Sequence, residues 1–360
     1  MAEAIPIDTR PLREDLSILL AQGEAQARLA RYSQALATFQ HVLAGADGIL
    51  QDRPRDPDAQ WLRARALLSQ GRLHSALTRS EEARDSFQRS IAAHEEILLH
   101  LAADATARHH RAFVLLSLGR LHAGLQQYGE AAERYRQAAE LTQQLLDEWP
   151  GDVEACLHGG STLASFGRLQ AKLGQNEQAA ASFRRAIALL EAALQQSPDD
   201  PKIFAGKGSS LLSLGRLEAA RGRQVEAVEA LTAATATYQE LFLRVPEDLL
   251  ALSNLGNALI RTAELRCEIS QPAEAEESYR RAIAVLKLAL EKAPDSADLH
   301  ANLGCALLGL GRLRNASGWA EEAVAAFESA LQEISRALEI APGNPQVRSL
   351  QEQLRSVLEW

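Results

Sequence analysis

The sequence predicts an all-α fold, more narrowly an α-solenoid of about seven two-helix repeats followed by a C-terminal capping helix. The triplet Gly-Arg-Leu recurs at steps of 48 residues or a multiple of 48, starting at Gly71, Gly119, Gly167, Gly215 and Gly311. In every unit an Ala stands twelve residues after the Gly position and a Leu stands four residues before it. A fixed period of this length indicates a repeat architecture, in which each unit is one supersecondary element that stacks on its neighbours.

Each unit is predicted to contain two helices. In the fourth unit the first helix is predicted over 153–173 and ends at Gly174, a residue that readily adopts the left-handed conformation of a helix stop. The second is predicted over 177–196, where apolar residues recur every three or four positions. The seven predicted units are 9–56, 57–104, 105–152, 153–200, 201–248, 249–296 and 297–344.

The ends of the units and of the chain have their own patterns. Pro-x-Asp begins at Pro54, Pro150, Pro198 and Pro246, where proline stops one helix and aspartate is expected to cap the next. Residues 1–8 are expected to be a short leader. Residues 345–360 are predicted to form one amphipathic helix that covers the last exposed apolar face, as a terminal cap does in a solenoid.

Further columns carry a family resemblance. Four residues after the Ala column comes a ring or a Leu, and three residues later comes a small residue in six of the seven units. Phe183 and Ala186 are the fourth unit's examples. This order resembles the tetratricopeptide repeat (TPR) family over residues 9–344, although the ordinary repeat has 34 residues and this one has 48. The resemblance implies a right-handed superhelix whose first helices line a concave groove for extended peptides.

Composition excludes several classes of function. The net charge of −9 disfavours nonspecific nucleic-acid binding, which depends on basic surfaces. The three cysteines are odd in number and far apart, which favours reduced thiols and a cytoplasmic location. The N-terminal stretch has no signal-peptide core, and no apolar run is long enough for a membrane span. We therefore expect no nucleic-acid partner and no membrane insertion.

No catalytic motif and no cofactor-binding motif is present. The sequence has no nucleophile elbow, no HExxH and no P-loop, and the glycines are explained by their repeat positions. His110 and His158 stand one unit apart, but first helices of successive units are separated by a second helix, which is wide for a shared ion. The sequence therefore predicts a non-enzymatic protein without a cofactor or a metal.

An arginine follows the Gly of the triplet in five of the seven units, and Glu24 and Glu264 replace it in the other two. The resemblance places this column on the concave surface. One turn earlier come aliphatic side chains, and three residues before these come short polar ones. The predicted groove residues are Arg72, Arg120, Arg168, Arg216, Arg312, Leu68, Leu116, Leu212, Ser161, Ser209 and Asn257.

Two interpretations of the arginine column stay open at this point. The guanidinium groups suit carboxylates or phosphates of a ligand. Alternatively, each arginine pairs with a neighbouring acid such as Glu130 or Glu226 and only solubilises the surface. A second basic pair, Arg184 and Arg185 on a second helix, is expected to face solvent.

The functional expectation is a non-enzymatic scaffold for protein–protein interaction that binds a protein or peptide ligand, with an acidic segment or a C-terminal carboxylate favoured by the arginines. Two alternatives stay open. One is a self-associating structural scaffold, a dimer rather than a monomer, formed through the terminal helix and Trp360. The other is a regulatory or substrate-recruiting arm of a larger enzyme or signalling system.

Overall fold

A computed structural model of the chain describes residues 10–29, 31–77, 79–100 and 105–358. This part of the chain contains α-helices and no strand, so the all-α prediction is confirmed. The predicted leader at 1–8 and Trp360 lie outside the described residues. The helices are α1 (Arg10–Arg28), α2 (Tyr32–Asp52), α3 (Pro57–Ala76), α4 (Ser80–His100), α5 (Ala105–Gly124), α6 (Tyr128–Glu148), α7 (Val153–Lys172), α8 (Asn176–Gln196), α9 (Pro201–Ala220), α10 (Gln224–Arg244), α11 (Leu249–Glu268), α12 (Pro272–Lys292), α13 (Ala297–Ala316), α14 (Ala320–Ile340) and α15 (Pro345–Leu358).

The chain divides into two compact structural units, residues 1–131 and 132–360, with the division inside α6. These two structural units are distinct from the seven sequence repeats, and below they are called the first unit and unit 2. In unit 2 the most extensive packing joins the two helices of each pair: α7 with α8, α9 with α10, α11 with α12, and α13 with α14. Each first helix also contacts the next first helix, from α7 through to α15. This pairing is that of an α-solenoid of two-helix repeats. Within the described residues, no helix has the length and apolar character needed to cross a bilayer.

The predicted Pro-x-Asp caps are confirmed. Asp56, Asp152, Asp200 and Asp248 each precede a first helix, and each side chain accepts a hydrogen bond from a backbone N–H of the first turn. The Ala155 N–H donates to Asp152 Oδ1 at 2.8 Å, for example. Such a cap satisfies a donor that the helix itself leaves without a partner. It therefore sets where each first helix begins.

The Gly of the triplet leaves room for the ring of the same pair's second helix. A Cβ atom added at Gly167 would lie 2.9 Å from Phe183 Cε1, and one added at Gly71 would lie 2.3 Å from Phe87 Cδ1. Both distances are shorter than a carbon–carbon contact allows. The Gly and ring columns are therefore two halves of one contact, repeated along the chain.

A second column of glycines, Gly160, Gly208, Gly256 and Gly304, also lies in the first helices. The nearest neighbours at these positions are side chains of the second helix of the same pair. A Cβ atom at Gly160 would meet Leu190 at 2.7 Å. The equivalent positions opposite the other three glycines are Tyr238, Leu286 and Ile334.

The Glu218 carboxylate in α9 is fully buried and holds three arginines of unit 2. It accepts from Arg184 Nη2 at 2.6 Å and Arg221 Nη1 at 3.0 Å, and Arg223 Nη1 lies at 3.8 Å. Arg184 is about half exposed, in line with its expected solvent-facing position, but its guanidinium also bonds to this buried acid, so it is more than a surface charge. This network ties α8 to α9 and to the turn that follows α9.

The first unit contains a buried histidine, His94, which predicts acid sensitivity. Its Nδ1 lies 2.8 Å from the Ser90 carbonyl oxygen, and its ring packs edge-on at 6.1 Å from Trp61. Desolvation, partly opposed by the bond to Ser90, lowers the pKa of His94 to about 4. An unfolded histidine has a pKa near 6.5, so the unfolded chain takes up this proton first as the pH falls.

We therefore expect His94 to stabilise the first unit fully above about pH 6.5 and to lose that contribution as the pH falls towards 4. The loss should reach about 2 kcal/mol at pH 5. Urea unfolding at pH 7 and pH 5, followed by hydrogen exchange in α3 and α4, would measure it. His94→Leu is the control, because leucine fills the equivalent position in α8 and does not titrate. An equal pH dependence in the variant would contradict this account.

Candidate functional site

Unit 2 contains a groove of about 910 Å³ lined almost entirely by its first helices. Helices α7, α9, α11 and α13 provide most of the wall. Tyr238, from the second helix α10, also lines the cavity, and Asn344 and α15 form one side. The lining residues are Arg168, Ser209, Leu212, Ser213, Arg216, Tyr238, Ser253, Asn254, Asn257, Ile260, Arg261, Asp298, Ala301, Asn302, Cys305, Asn344, Val347, Ser349, Leu350 and Gln353. We call this cavity the unit 2 groove.

The groove brings together five of the residues that the sequence predicts for a binding surface: Arg168, Ser209, Leu212, Arg216 and Asn257. Ser161 and Arg312 belong to unit 2 but do not line the cavity. Arg312 reaches it indirectly, since its Nη2 donates to the Gln353 side-chain oxygen at 3.4 Å. The register of the repeats therefore places these residues of successive repeats in one cavity.

Arg168 and Arg216 are exposed within the groove, and their described contacts contain no ion pair with a carboxylate. Arg168 Nη2 donates to Ser165 Oγ at 3.1 Å, and the Ser165 hydroxyl donates to a backbone carbonyl. Desolvation by the surrounding protein lowers the pKa of both arginines. Both remain charged, because an arginine pKa near 12.5 lies far above neutral pH. Among the described residues, neither pairs with Glu226, the acid that the alternative interpretation named.

Glu264, the residue that interrupts the arginine column, neutralises a charge inside the groove. Its Oε2 accepts from Arg261 Nη1 at 2.6 Å, one turn earlier on the same helix. Arg216 lies close enough for both charges to act on its pKa, although it makes no ion pair with Glu264. The positive charge at this point is therefore partly compensated.

Beyond this point the lining becomes amide-rich. Asn254, Asn257 and Asn302 lie along α11 and α13, and the Asn302 amide approaches Ser253 Oγ at 3.4 Å. Amide side chains both donate and accept hydrogen bonds, so they suit the backbone of an extended peptide. The groove therefore offers cationic, amide and hydroxyl groups along one row of helices.

Two predicted groove residues in the first structural unit, residues 1–131, are largely buried. Leu116 is only 2% exposed and Leu68 only 8% exposed, so each offers a ligand little apolar surface. Their place in a binding groove stays a prediction. Arg72 is exposed and Arg120 is partly exposed. Glu24, the other interruption of the arginine column, pairs with Arg65 at 2.7 Å.

Among the lining residues of the unit 2 groove that sequence reasoning missed are Arg261 and Tyr238. Arg261 lies one turn before Glu264, so an i, i+3 pair at the interruption was a usable signal. Tyr238 occupies a position that is Leu190, Leu286 or Ile334 in other pairs of this unit. A phenol between two aliphatic neighbours in this column, Leu190 and Leu286, was the signal there.

Comparison with protein families gives two matches. The model described as tetratricopeptide repeat matches residues 20–78, 167–234 and 270–330, together just over half of the chain. The model described as anaphase-promoting complex subunit 5 matches residues 99–149 only. No curated protein matches the chain.

Several solved structures share the fold. BtubC (BKLC) from P. vanneervenii superposes with a TM-score of 0.55 at 17% identity, over 73% of this chain and 92% of that one. The S. pombe nuclear import adaptor Nro1 gives 0.52 at 14% identity, over 82% and 99%. The apo form of RapI gives 0.57 at 12% identity, over 96% and 86%. At these identities the similarity concerns the fold alone. The 48-residue columns, the helix pairs and the family match agree, and the chain belongs to the tetratricopeptide repeat family.

Proposed function

We propose that the chain is a non-enzymatic interaction scaffold and that the unit 2 groove binds an extended peptide segment of a protein partner through an acidic group. The observation that carries the proposal is the placement of Arg168 and Arg216 in one cavity without a carboxylate partner among the described residues. A cationic cavity of this kind favours a ligand that supplies the missing anions.

Desolvation favours an anionic ligand at these two arginines. A guanidinium partly removed from water loses hydration, and a bidentate carboxylate restores its hydrogen bonds with good geometry. Surface arginines that already pair with acids offer no such gain. The neighbouring hydroxyl and amide groups of Ser209 and Asn257 provide donors and acceptors for the peptide backbone.

The ligand's length follows from the repeat spacing. One repeat advances the array by two helices, about 20 Å, which an extended peptide covers in about six residues. A ligand that contacts both arginines and the amides beyond them is then about a dozen residues long. We propose a cytoplasmic location as well, on the number and spacing of the cysteines.

A charge reversal tests the proposal. Dodecapeptides selected for binding to the full chain from a random display library provide the probes, and fluorescence anisotropy gives their affinities. The selected peptides should be acidic, and the double variant Arg168→Glu, Arg216→Glu should bind them at least about a hundredfold more weakly, because two charge-assisted contacts become repulsive. Added salt should weaken binding to the native chain.

The matched control is Arg185→Glu, Arg281→Glu, which changes the charge equally on exposed positions of the second helices α8 and α12. Its affinity should stay within about threefold of the native value. Selection of neutral peptides, or equal affinity of the groove variant and the native chain, would contradict the proposal. If the role is self-association instead, sedimentation at several concentrations should show a dimer.

A further inference from the structure

Charge is unevenly distributed along the unit 2 groove. Arg168 and Arg216 lie where α7 and α9 form the wall, and the Arg261–Glu264 pair follows on α11. On α13 the only ionised residue in the lining is an acid, Asp298. An anionic group of a ligand is therefore attracted towards α7 and repelled from the N-terminal end of α13.

A buried phenol marks the cationic end. The Tyr238 side chain is fully buried against Gly208, and its hydroxyl lies close to Ser209 and Arg168. The Ser209 side chain is close enough to hydrogen-bond weakly with this hydroxyl, although the contact falls short of ordinary hydrogen-bond geometry. Leu190, Leu286 and Ile334 show that the position needs no polar atom for packing. A buried hydroxyl with only a weak hydrogen bond is costly, and a ligand oxygen would reduce that cost.

Desolvation keeps this phenol neutral at physiological pH, because it raises the pKa of Tyr238 above its ordinary value. The hydroxyl therefore donates to a ligand oxygen rather than repelling it. Together with the Arg168 guanidinium and the Ser209 hydroxyl, it forms a set of donors without a carboxylate. This set is chemically suited to a carboxylate of the ligand.

The opposite wall is built by α15. Val347 and Leu354 are fully buried and hold this helix against the end of the array. Leu350 is only partly buried and lines the groove together with Ala301 of α13. Helix α15 therefore packs against α13 and α14 and also presents an aliphatic side chain to the cavity.

We propose that the groove binds its peptide in one direction, with a carboxylate at Arg168, Ser209 and Tyr238 and an aliphatic side chain against Leu350 of α15. This inference rests on the proposed peptide-binding function and adds the ligand's orientation and the role of the terminal helix as part of the site. The partner class is a peptide with an acidic group at one end of the bound segment and a Leu, Ile or Val towards the other.

Photo-crosslinking tests the direction. The selected acidic dodecapeptide is synthesised with benzoylphenylalanine beside its acidic residue or beside its aliphatic residue, and crosslinked sites on the full chain are mapped by mass spectrometry. The acidic end should label α7, α9 and α10, and the aliphatic end should label α13 and α15. Reversed labelling, or labelling of both ends at the same helices, would overturn the orientation and leave the proposed function standing.

Two substitutions test the two ends. Tyr238→Phe removes only the hydroxyl, so the ring still fills the space beside Gly208. It should weaken binding of the acidic peptide about tenfold and leave binding of the same peptide with Glu→Gln unchanged. A variant peptide with an amidated C-terminus separates a side-chain carboxylate from a terminal one. An equal loss of affinity for the acidic peptide and for its Glu→Gln counterpart would refute a direct contact between Tyr238 and the carboxylate.

Leu350→Ala should weaken binding of the selected acidic peptide about tenfold. It should have little effect on binding of a peptide whose aliphatic residue is replaced by Ala. Glu352→Ala, an exposed position on the same helix, is the control and should leave binding unchanged. Hydrogen exchange in α13 and α15 checks that the helix stays packed. If Leu350→Ala binds both peptides as the native chain does, α15 is a cap only. Loss of the acidic preference in the selection itself would instead count against the proposed function.

Discussion

Replacing Phe183 with alanine should lower the free energy of unfolding of the surrounding repeats by about 3–5 kcal/mol, the usual range for a buried Phe truncated to Ala. The side chain is 1% exposed and packs with Ala179, Ala180 and Leu214 in one core cluster. Its ring also fills the space that Gly167 leaves open. Truncation therefore removes contacts with α7, α8 and α9 together and leaves a cavity that rigid helices cannot close.

Solenoid stability is roughly a sum over repeats and their interfaces, so the loss should be confined to the repeats around α7–α10. Native-state hydrogen exchange resolves this location, and urea unfolding gives the magnitude. Phe183→Leu is the matched control, since α10 carries leucine at the equivalent position, Leu231, and it should cost less. A loss below about 1 kcal/mol for the alanine variant would mean that the ring and glycine columns do not form the contact described above.

Glu218→Ala should be the second most damaging single change, with a loss of about 3 kcal/mol. Removing one partner of a buried ion pair typically costs about 3–5 kcal/mol, because the remaining charge is buried without compensation. Here Arg221 is the buried partner, with a side chain 8% exposed, whereas Arg184 and Arg223 are about half exposed and can turn to solvent. The lower end of the range is therefore expected.

Glu177→Gln is the control for this network. Glu177 also pairs with Arg221 and Arg223, but its side chain is 76% exposed. Glu177 stays hydrated in the folded chain and Arg221 keeps its bond to Glu218 when Glu177 is replaced, so this variant should unfold almost as the native chain does. If both substitutions have the same small effect in urea unfolding, Glu218 is not the organising carboxylate of the α8–α9 contact.

The features that the sequence predicted correctly are those that one repeat determines by itself. Asp152 caps its helix through contacts three residues away, and Gly167 meets Phe183 within one helix pair. Both recur every 48 residues, so the pattern repeats the same information several times. Local chemistry that is repeated in register is the easiest to recognise in a single sequence.

The features that the sequence did not predict depend on contacts between different repeats. Glu218 in α9 forms an ion pair with Arg184 of the preceding helix pair, and their separation along the chain does not indicate this contact. Leu116 occurs in the aliphatic column that was predicted to line the groove, but packing buries it. The contribution of α15 to the groove depends on how the terminal helix seats on α13 and α14. None of these follows from helical periodicity alone.

The central claim is that the unit 2 groove is a binding site for an acidic peptide, and a crystal structure of the full chain with a selected acidic dodecapeptide tests it most directly. The account predicts an extended peptide along α7, α9, α11 and α13, with a carboxylate within hydrogen-bonding distance of Arg168. A peptide bound instead to the outer faces of α8, α10 and α12, with Arg168 contacting only solvent, would contradict it.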